Sequence, residues 1–277
     1  MSELKTIVIK NLKDINLTHI FECGQCFRWN QEGEDYVGMA ADKFAKVSLS
    51  SQTMTIEASG GNEDFWRNYF DLDTDYSEIK CAITENCSNE SKLTQAIEYG
   101  YGIRILNQDL FETIISFIVS QNNNIPRIKK CIESICTKYG KYIGTFCGKD
   151  RYAFPDAEAL SQAKPSDLAD LKLGYRSEYI VQTAKDFLEK GKPKTYQDVL
   201  SYLGVGPKVA NCIMLFGLHE VSAFPIDTWV KHIMNDMYGF DEKDVKGMSE
   251  YAEKHFGKYA GYAQQYLFYY YRESSKK

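Results

Sequence analysis

The sequence predicts an α+β fold, with an N-terminal antiparallel β-sheet domain and flanking helices over residues 1–95 and a mostly α-helical domain over residues 96–277. Short runs rich in β-branched and aromatic residues are confined to roughly the first 60 positions. The last two runs alternate apolar and polar side chains, as a half-buried antiparallel sheet requires. From Asn62 onward the apolar spacing is helical. The predicted strands are residues 6–10, 26–29, 36–40, 45–50 and 53–59, with a turn over 31–35.

Three apolar stripes predict individual helices in the second domain. The first stripe lies within residues 109–121, the second begins at Ile128 and the third begins at Tyr179. Ser166 opens the string SDLADL and is predicted to cap a further helix. Tandem repeats and low-complexity tracts are absent from the sequence, so one sheet domain followed by one helical domain is expected.

The composition is that of a globular protein, with 44% hydrophobic and 26% charged residues. No stretch approaches the ~20 apolar residues that a membrane span requires. Charged residues near the N-terminus occupy positions where a signal peptide needs an apolar core. We therefore expect an intracellular, cytoplasmic protein without a membrane partner.

The net charge of −5 disfavours nucleic-acid binding when it is taken alone. The charge is unevenly spread, however, because residues 121–210 hold 15 basic and 10 acidic side chains. A locally positive face on an acidic protein can still meet phosphate, although a solvated surface explains the asymmetry about equally well.

The eight cysteines do not form a metal or disulfide pattern. Cys23 and Cys26 make the one C-x-x-C motif, and no second pair follows at a zinc-finger distance. We expect buried free thiols at all eight positions, which are Cys23, Cys26, Cys81, Cys87, Cys131, Cys136, Cys147 and Cys212.

The most informative stretch is 196–232, which has the pattern of a helix-hairpin-helix. A helical string is broken by Gly204 and Gly206, and Pro207 follows where a first helical turn tolerates proline. A second helix is expected over 207–218. Such glycines let the backbone approach a DNA phosphate, with amides at a helix N-terminus as donors. A nucleotide-binding phosphate loop is rejected, because its G-x-x-x-x-G-K-[ST] spacing is missing and a helix comes before the glycines.

Two ionisable residues in this stretch suit catalysis. Lys208 falls in the first turn of the second helix, where the positive end of the macrodipole disfavours an ammonium and favours the neutral amine that nucleophilic attack requires. Cys212 lies four residues on, hence on the same helical face. Asp227 precedes a helical run over 228–237 and is predicted to be its N-cap, held ionised by backbone donors. These patterns alone leave open that Lys208 is a phosphate contact and Asp227 only a cap.

The hairpin, the Gly/Pro-rich loop and the following Asp together resemble the helix-hairpin-helix glycosylase superfamily. Within it, the string LGVGPKVANC…FPIDTWV looks like the 8-oxoguanine DNA glycosylases, and the similarity extends in order over nearly the whole chain. The iron–sulfur branch of the superfamily ends in four closely spaced cysteines. No cysteine follows Cys212 in this sequence, so that branch is excluded. The other matching segments are GQCFRW (24–29), ISFIVSQNNNIPRI (115–128), LGYR (173–176) and GYAQQYLF (261–268).

The resemblance implies a bifunctional DNA glycosylase and abasic-site lyase that needs no cofactor. Lys208 would be the nucleophile that forms a Schiff base, and Asp227 its acidic partner. Gly24 would offer its carbonyl to N7–H of 8-oxoguanine, a hydrogen that guanine lacks; without the resemblance it reads equally well as a turn glycine. Other residues implied at the base site are Cys212 and Phe268 as a sandwich, Gln264 on the Watson–Crick edge, and Pro225. The aromatic run containing Phe268 could otherwise be core.

The resemblance also implies contacts to duplex DNA that carries 8-oxoguanine opposite cytosine. Tyr175 would wedge into the helix, and Asn122, Arg127 and Arg176 would hold the cytosine, although the arginines could bind phosphate alone. Gly204 and Gly206 would meet phosphate, beside a possible cation at the backbone carbonyls of Leu200, Tyr202 and Val205. Trp229 departs from the family, which often has His there as a phosphate contact.

Two other functions compete with this interpretation. One is a glycosylase of the same fold that acts on alkylated purines, which Lys208 argues against. The other is a non-enzymatic DNA-binding module, which Asp227 and the segment around Gly24 argue against.

Overall fold

The computed structural model describes residues 4–85 and 90–275. Five strands form one sheet: β1 Lys5–Ile9, β2 Trp29–Glu32, β3 Asp35–Ala40, β4 Lys43–Ser50 and β5 Thr53–Ala58. Two further strands, β6 Tyr142–Phe146 and β7 Lys149–Tyr152, form a separate hairpin. The helices are α1 Leu17–Phe21, α2 Glu63–Tyr69, α3 Tyr76–Glu85, α4 Glu90–Tyr99, α5 Leu110–Ser120, α6 Ile125–Tyr139, α7 Ala157–Ser161, α8 Arg176–Lys190, α9 Tyr196–Leu200, α10 Pro207–Gly217, α11 Thr228–Tyr238, α12 Val245–Phe256 and α13 Ala260–Ser274. The α+β prediction is confirmed.

The large sheet is antiparallel throughout, in the order β1-β5-β4-β3-β2. Tyr36, Val47 and Ile56 lie opposite one another across its three central strands and are completely buried. Their alternation with polar residues places one apolar face of the sheet on the core. That face packs on α1 and α2, where Phe21 stacks on Trp29 with ring centroids 4.4 Å apart.

The segment between α1 and β2 joins two apolar cores. Cys26 and Trp29 belong to the core beneath the sheet, whereas Cys23 and Phe27 belong to the larger core of the helical region. Helices α3 and α4 pack with that helical core through residues such as Ile79 and Ile97. The loop that contains Gly24 is therefore held from both sides.

This joining segment corrects one predicted strand. Residues 26–28 are not extended into the sheet, and β2 begins at Trp29 and covers part of the predicted turn. The reason is tertiary: the Gln25 amide donates to the carbonyls of Ile20 and Arg104 and accepts from the amide of Leu106, at 2.7–2.9 Å. These bonds hold the loop in place of a strand ladder.

The helical predictions hold, with two local corrections. The first stripe forms α5, with Asp109 as its N-cap. Ser166 is not a cap, because a 3-10 helix begins at Pro165 and the Asp167 carboxylate accepts from the Lys164 amide instead. The β6–β7 hairpin interrupts a region expected to be helical.

The prediction of buried free thiols is corrected at two positions. Cys81 and Cys147 are exposed, whereas the other described cysteines are buried thiols; Cys87 lies outside the described residues. Across 4–85 and 90–275, no helix is long and apolar enough to cross a membrane.

Candidate active site

A cavity of about 780 Å³ lies where the Gly24 loop faces helices α10 and α13. Its walls include seven predicted site residues, drawn from positions that are far apart in the chain. They are Gly24, Lys208, Cys212, Pro225, Asp227, Gln264 and Phe268. The remaining predicted residues, which were assigned to DNA contacts, do not line this cavity.

Lys208 reaches the cavity from the first turn of α10. Gly206 is the N-cap of that helix and Pro207 its first residue, so the break in the sequence pattern positions the lysine as expected. The Lys208 Nζ lies 5.8 Å from the centroid of the Phe117 ring and interacts with the Cys212 thiol one turn further along the helix. The amine is therefore directed at an apolar, aromatic wall.

The Cys212 thiol is the other nucleophile on this face of α10. Burial raises its pKa from the ordinary value of 9.0, and the nearby Lys208 ammonium opposes that shift without cancelling it. Because the thiolate is the reactive form of cysteine, Cys212 is held in its unreactive state. The raised pKa of Cys212 therefore argues against its thiol as the nucleophile of this site.

Asp227 is the N-cap of α11, as its position before a helical run predicted. Its carboxylate accepts from the amide of Val230 at 2.9 Å. Burial raises the pKa of Asp227 above 3.8; the Val230 amide favours the ionised carboxylate, as expected, and so does Lys208, but together they do not cancel that rise. Charge on Asp227 is poorly solvated, so it interacts strongly with any positive charge that develops nearby.

Gly24 adopts a backbone conformation that L side chains rarely adopt, with φ at +83°. A Cβ there would lie 3.4 Å from the Phe268 ring and 3.5 Å from a guanidinium nitrogen of Arg272. Gln25, which is bonded to three backbone groups, anchors the loop immediately after it. The Gly24 backbone is therefore held rigidly at the cavity wall.

A second cluster of predicted residues forms around the loop between α5 and α6. Tyr175 is 47% exposed, its hydroxyl accepts from Asn122 at 3.4 Å, and the Arg176 guanidinium stacks 4.6 Å from its ring centroid. Arg176 is buried and donates to the carbonyls of Gln121 and Leu173 at 3.0 and 3.1 Å. Arg127 is exposed and donates to the Lys172 carbonyl at 3.1 Å. The following loop residues Asn123 and Asn124 line the cavity, so the cluster lies beside its mouth.

The hairpin between α9 and α10 is anchored to the same region. Gly204 has φ at +76°, and a Cβ there would come within 2.2 Å of the Tyr179 ring, which itself contacts Tyr175 at 5.4 Å. Only glycine fits this contact. Gly206, the N-cap of α10, has no atom within 4 Å of its Cβ position, so the start of the helix is not crowded on that side.

Two family models match consecutive parts of the chain. Residues 7–114 match the 8-oxoguanine DNA glycosylase N-terminal domain, and residues 115–258 match the HhH-GPD superfamily of base excision DNA repair proteins. The chain belongs to the HhH-GPD superfamily. Its N-terminal match places it with the 8-oxoguanine glycosylase branch, which confirms the resemblance inferred from the motifs.

Named relatives agree with this membership. The N-glycosylase/DNA lyase of Saccharomyces cerevisiae is 33% identical over 265 residues, covering 82% of this chain and 69% of the relative. A probable N-glycosylase/DNA lyase of Methanothermobacter thermautotrophicus is 31% identical over 214 residues, covering 67% of this chain and 68% of the relative.

Solved structures give the same result over the full length. The Clostridium acetobutylicum 8-oxoguanine glycosylase/lyase, in complex with DNA containing cytosine opposite 8-oxoG, superposes with a TM-score of 0.90 at 37% identity, covering 99% of this HhH-GPD protein and 98% of that chain. A 3-methyladenine DNA-glycosylase from Archaeoglobus fulgidus shares the fold, at a TM-score of 0.76 and 20% identity, covering 97% and 99% of the two chains.

Sequence reasoning missed three side chains of this HhH-GPD site. Phe117 is hidden within an apolar stripe that predicts only core, and Arg272 follows the aromatic run at the C-terminus. Gln25 carries a weak signal, as a polar residue inside a segment that is otherwise buried. Their roles depend on contacts between residues distant in sequence, which the local patterns do not encode.

Proposed function

We propose that this protein is a bifunctional DNA glycosylase and abasic-site lyase that excises 8-oxoguanine from duplex DNA. The observation that carries the proposal is the convergence of Lys208, Asp227 and Gly24 on one cavity. An amine nucleophile, a poorly solvated carboxylate and a constrained backbone carbonyl serve attack, charge stabilisation and base recognition respectively. The names of the relatives support the same reaction.

The proposed reaction begins with extrusion of the damaged nucleotide, since the target bond is out of reach inside a duplex. Flipping costs a few kcal/mol. The neutral amine of Lys208 attacks C1′, and the C1′–N9 bond breaks with its electron pair passing to the departing base, which takes up a proton. Asp227 stabilises the positive charge that develops on the sugar. The nitrogen gives up one proton, and the C1′–O4′ bond then breaks with its electron pair passing to O4′, which takes up a proton, leaving a protonated Schiff base. Loss of the 2′ proton then expels the 3′ phosphate and nicks the strand.

The base would be held by residues of the cavity wall. Gly24 would accept from N7–H of 8-oxoguanine, whereas guanine has an unprotonated acceptor at N7. Cys212 and Phe268 would sandwich the ring, and Gln264 would bond its Watson–Crick edge beside Pro225. Gln264 is buried and already accepts from Gln265 at 2.8 Å, so the side-chain amide is oriented before a base arrives.

Gly24→Ala should reduce excision of 8-oxoguanine by about 10- to 100-fold without changing affinity for undamaged duplex. Alanine at φ +83° is strained by ~1–2 kcal/mol, and relaxation of that strain shifts the carbonyl away from the base. Single-turnover base release and duplex binding measure the two quantities. Gly33→Ala is the matched control, because Gly33 has φ +67° but no atom within 4 Å of its Cβ position. Equal loss in both assays for Gly24→Ala would indicate a misfolded loop.

The cluster beside the cavity mouth would engage the duplex. Tyr175 would fill the gap left by the flipped base, and Asn122, Arg127 and Arg176 would contact the unpaired cytosine. Gly204 and Gly206 would place the α10 amides on a phosphate. The carbonyls of Leu200, Tyr202 and Val205 suit a hard cation, and one there would offset phosphate charge, although Tyr202 already accepts from the Val205 amide at 3.1 Å.

The proposed substrate locates the protein with the DNA, in the cytoplasm or on the nucleoid of a prokaryote. One chain supplies every group that the mechanism uses, which supports a monomer. Trp229, which is 37% exposed at the cavity wall, offers an indole where the family often has His, so a phosphate contact at this point would have to come from other groups.

The proposed function is tested by base release and borohydride trapping on four duplexes that differ only opposite 8-oxoguanine. We expect a covalent adduct and 10- to 100-fold faster excision opposite cytosine than opposite adenine, because a paired Arg or Asn base contact is worth ~1–3 kcal/mol. If Arg127 contacts the cytosine, Arg127→Ala should narrow the ratio of the excision rates opposite cytosine and adenine. If Arg127 contacts only phosphate, the substitution should slow excision from all four duplexes equally. Absence of adduct on every lesion duplex would exclude the function, and equal rates on all four would exclude the preference.

A further inference from the structure

Arg272 lies near the C-terminal end of α13 and is buried against the cavity, with only 8% of its surface exposed. Two of its three guanidinium nitrogens have protein partners. Nη2 donates to the Glu22 carbonyl, and Nε donates to the Glu273 carboxylate at 3.0 Å. The guanidinium also lies 5.2 Å from the centroid of the Phe268 ring. These contacts fix the plane of the guanidinium beside the ring that would stack on the base.

The third nitrogen, Nη1, has no hydrogen-bond partner among the described residues, although it is fully buried. It lies 3.5 Å from the position that a Cβ on Gly24 would occupy. An unsatisfied charged donor costs more than a neutral one, and buried donors without a partner are rare in native proteins. Buried nitrogens of Arg28 and Arg151 also have no hydrogen-bond partner among the described residues, but neither arginine lines the cavity. The place of Arg272 at the cavity wall beside Gly24 is what points to an acceptor supplied by the ligand.

An oxidised guanine has a carbonyl acceptor on either side of N7, O6 on the six-membered ring and O8 at the oxidised carbon. A donor close to Gly24 would lie near one of them when the Gly24 carbonyl accepts from N7–H. We propose that Arg272 is a specificity-determining residue whose Nη1 donates to a carbonyl oxygen flanking N7 of the flipped base. This inference rests on the proposed function. It adds a second hydrogen bond to the edge of the base that Gly24 recognises.

Arg272→Met tests the proposal, because methionine keeps an apolar stem over Phe268 and removes the donors. We expect single-turnover release of 8-oxoguanine to fall by about 10- to 100-fold, the usual effect of a hydrogen bond to a charged group. β-Elimination at a preformed abasic site should stay within about twofold, since no base is present to be read. Arg67→Met is the matched control: it makes the same change in an arginine that pairs with Asp73 and does not line this cavity, so base release should stay within about threefold.

The two acceptors are separated by affinity in the inert Lys208→Gln background, using duplexes with 8-oxoguanine or 8-oxoadenine. 8-Oxoadenine keeps O8 and lacks O6. If O8 is the acceptor, adding Arg272→Met weakens the binding of both lesions. If O6 is the acceptor, it weakens the binding of 8-oxoguanine alone. Unchanged base release, or equal loss of base release and abasic-site cleavage, overturns the proposal.

Two further comparisons separate misfolding of the variant, and failure of the proposed function, from failure of this inference. If Arg272→Met does not fold, Arg272→Lys, which keeps the charge and lacks the planar fork, must show the same selective loss. If the wild-type protein releases no 8-oxoguanine, the proposed function has failed, whereas an active wild type with an equally active Arg272→Met removes this inference alone.

Discussion

Lys208→Gln should abolish the covalent intermediate and slow release of 8-oxoguanine by about 10³-fold or more. Glutamine has a similar length and can still donate a hydrogen bond, but its amide nitrogen is not a nucleophile and cannot form a Schiff base. The other nucleophile on that helical face, Cys212, is kept as a thiol because burial raises its pKa, so it does not substitute for the lysine. Borohydride trapping and single-turnover base release measure the two losses.

Binding to lesion duplex should survive this change, because the backbone contacts of the hairpin and Gly24 are untouched. Lys185→Gln is a suitable control, since Lys185 is exposed on α8 and does not line the cavity; it should leave trapping and base release unaltered. A borohydride-stable adduct with the Lys208→Gln protein would show that another group is the nucleophile, and Cys212→Ser would then be the next variant to compare.

Asp227→Asn should slow base release by roughly 10²-fold or more, because an amide cannot stabilise the positive charge that develops on the sugar. Asparagine still accepts from the Val230 amide as an N-cap, so α11 is preserved. Asp156→Asn is the matched control: Asp156 caps α7 by accepting from the Ala159 amide at 2.8 Å, outside the cavity. An unchanged single-turnover rate for Asp227→Asn would reduce Asp227 to a helix cap.

The same substitution should raise the melting temperature at neutral pH by a few degrees. Burial raises the pKa of Asp227 in the folded protein, so the folded state favours the protonated acid relative to the unfolded chain. The resulting destabilisation is absent below the ordinary pKa of 3.8 and is fully present above the raised pKa. The stability gain from Asn should therefore appear as pH rises through that window. A loss of stability at neutral pH would show that the carboxylate is well compensated.

The rate of base release should also fall at acidic pH for the same reason. Because the charged form of Asp227 stabilises the sugar cation, wild-type base release should decline as pH falls through the raised pKa. Rates measured as a function of pH for the wild type and Asp227→Asn test this, since the variant should lack the limb.

The residues around the hairpin show how much the sequence determined by itself. Gly206 and Pro207 start α10, and Asp227 starts α11; each of these is predictable because helix caps and breaks are set by backbone groups within one turn. The apolar stripe that begins after Asp109 likewise gives α5. Membership of the superfamily followed from several such local signals in the right order.

Tertiary structure decided what local signals do not contain. Residues 26–28 read as a strand, yet bonds from Gln25 to distant backbone groups hold them as a loop, and this loop carries Gly24 to the cavity. The pKa of Asp227 shifts upward because burial outweighs its capping bond, and burial depends on how α10, α11 and α13 enclose the site. Among the described residues, the Arg272 nitrogen without a partner lies beside Gly24, although the two residues are almost the entire chain apart. Desolvation and unsatisfied donors are properties of the packed molecule, so only the folded structure could show them.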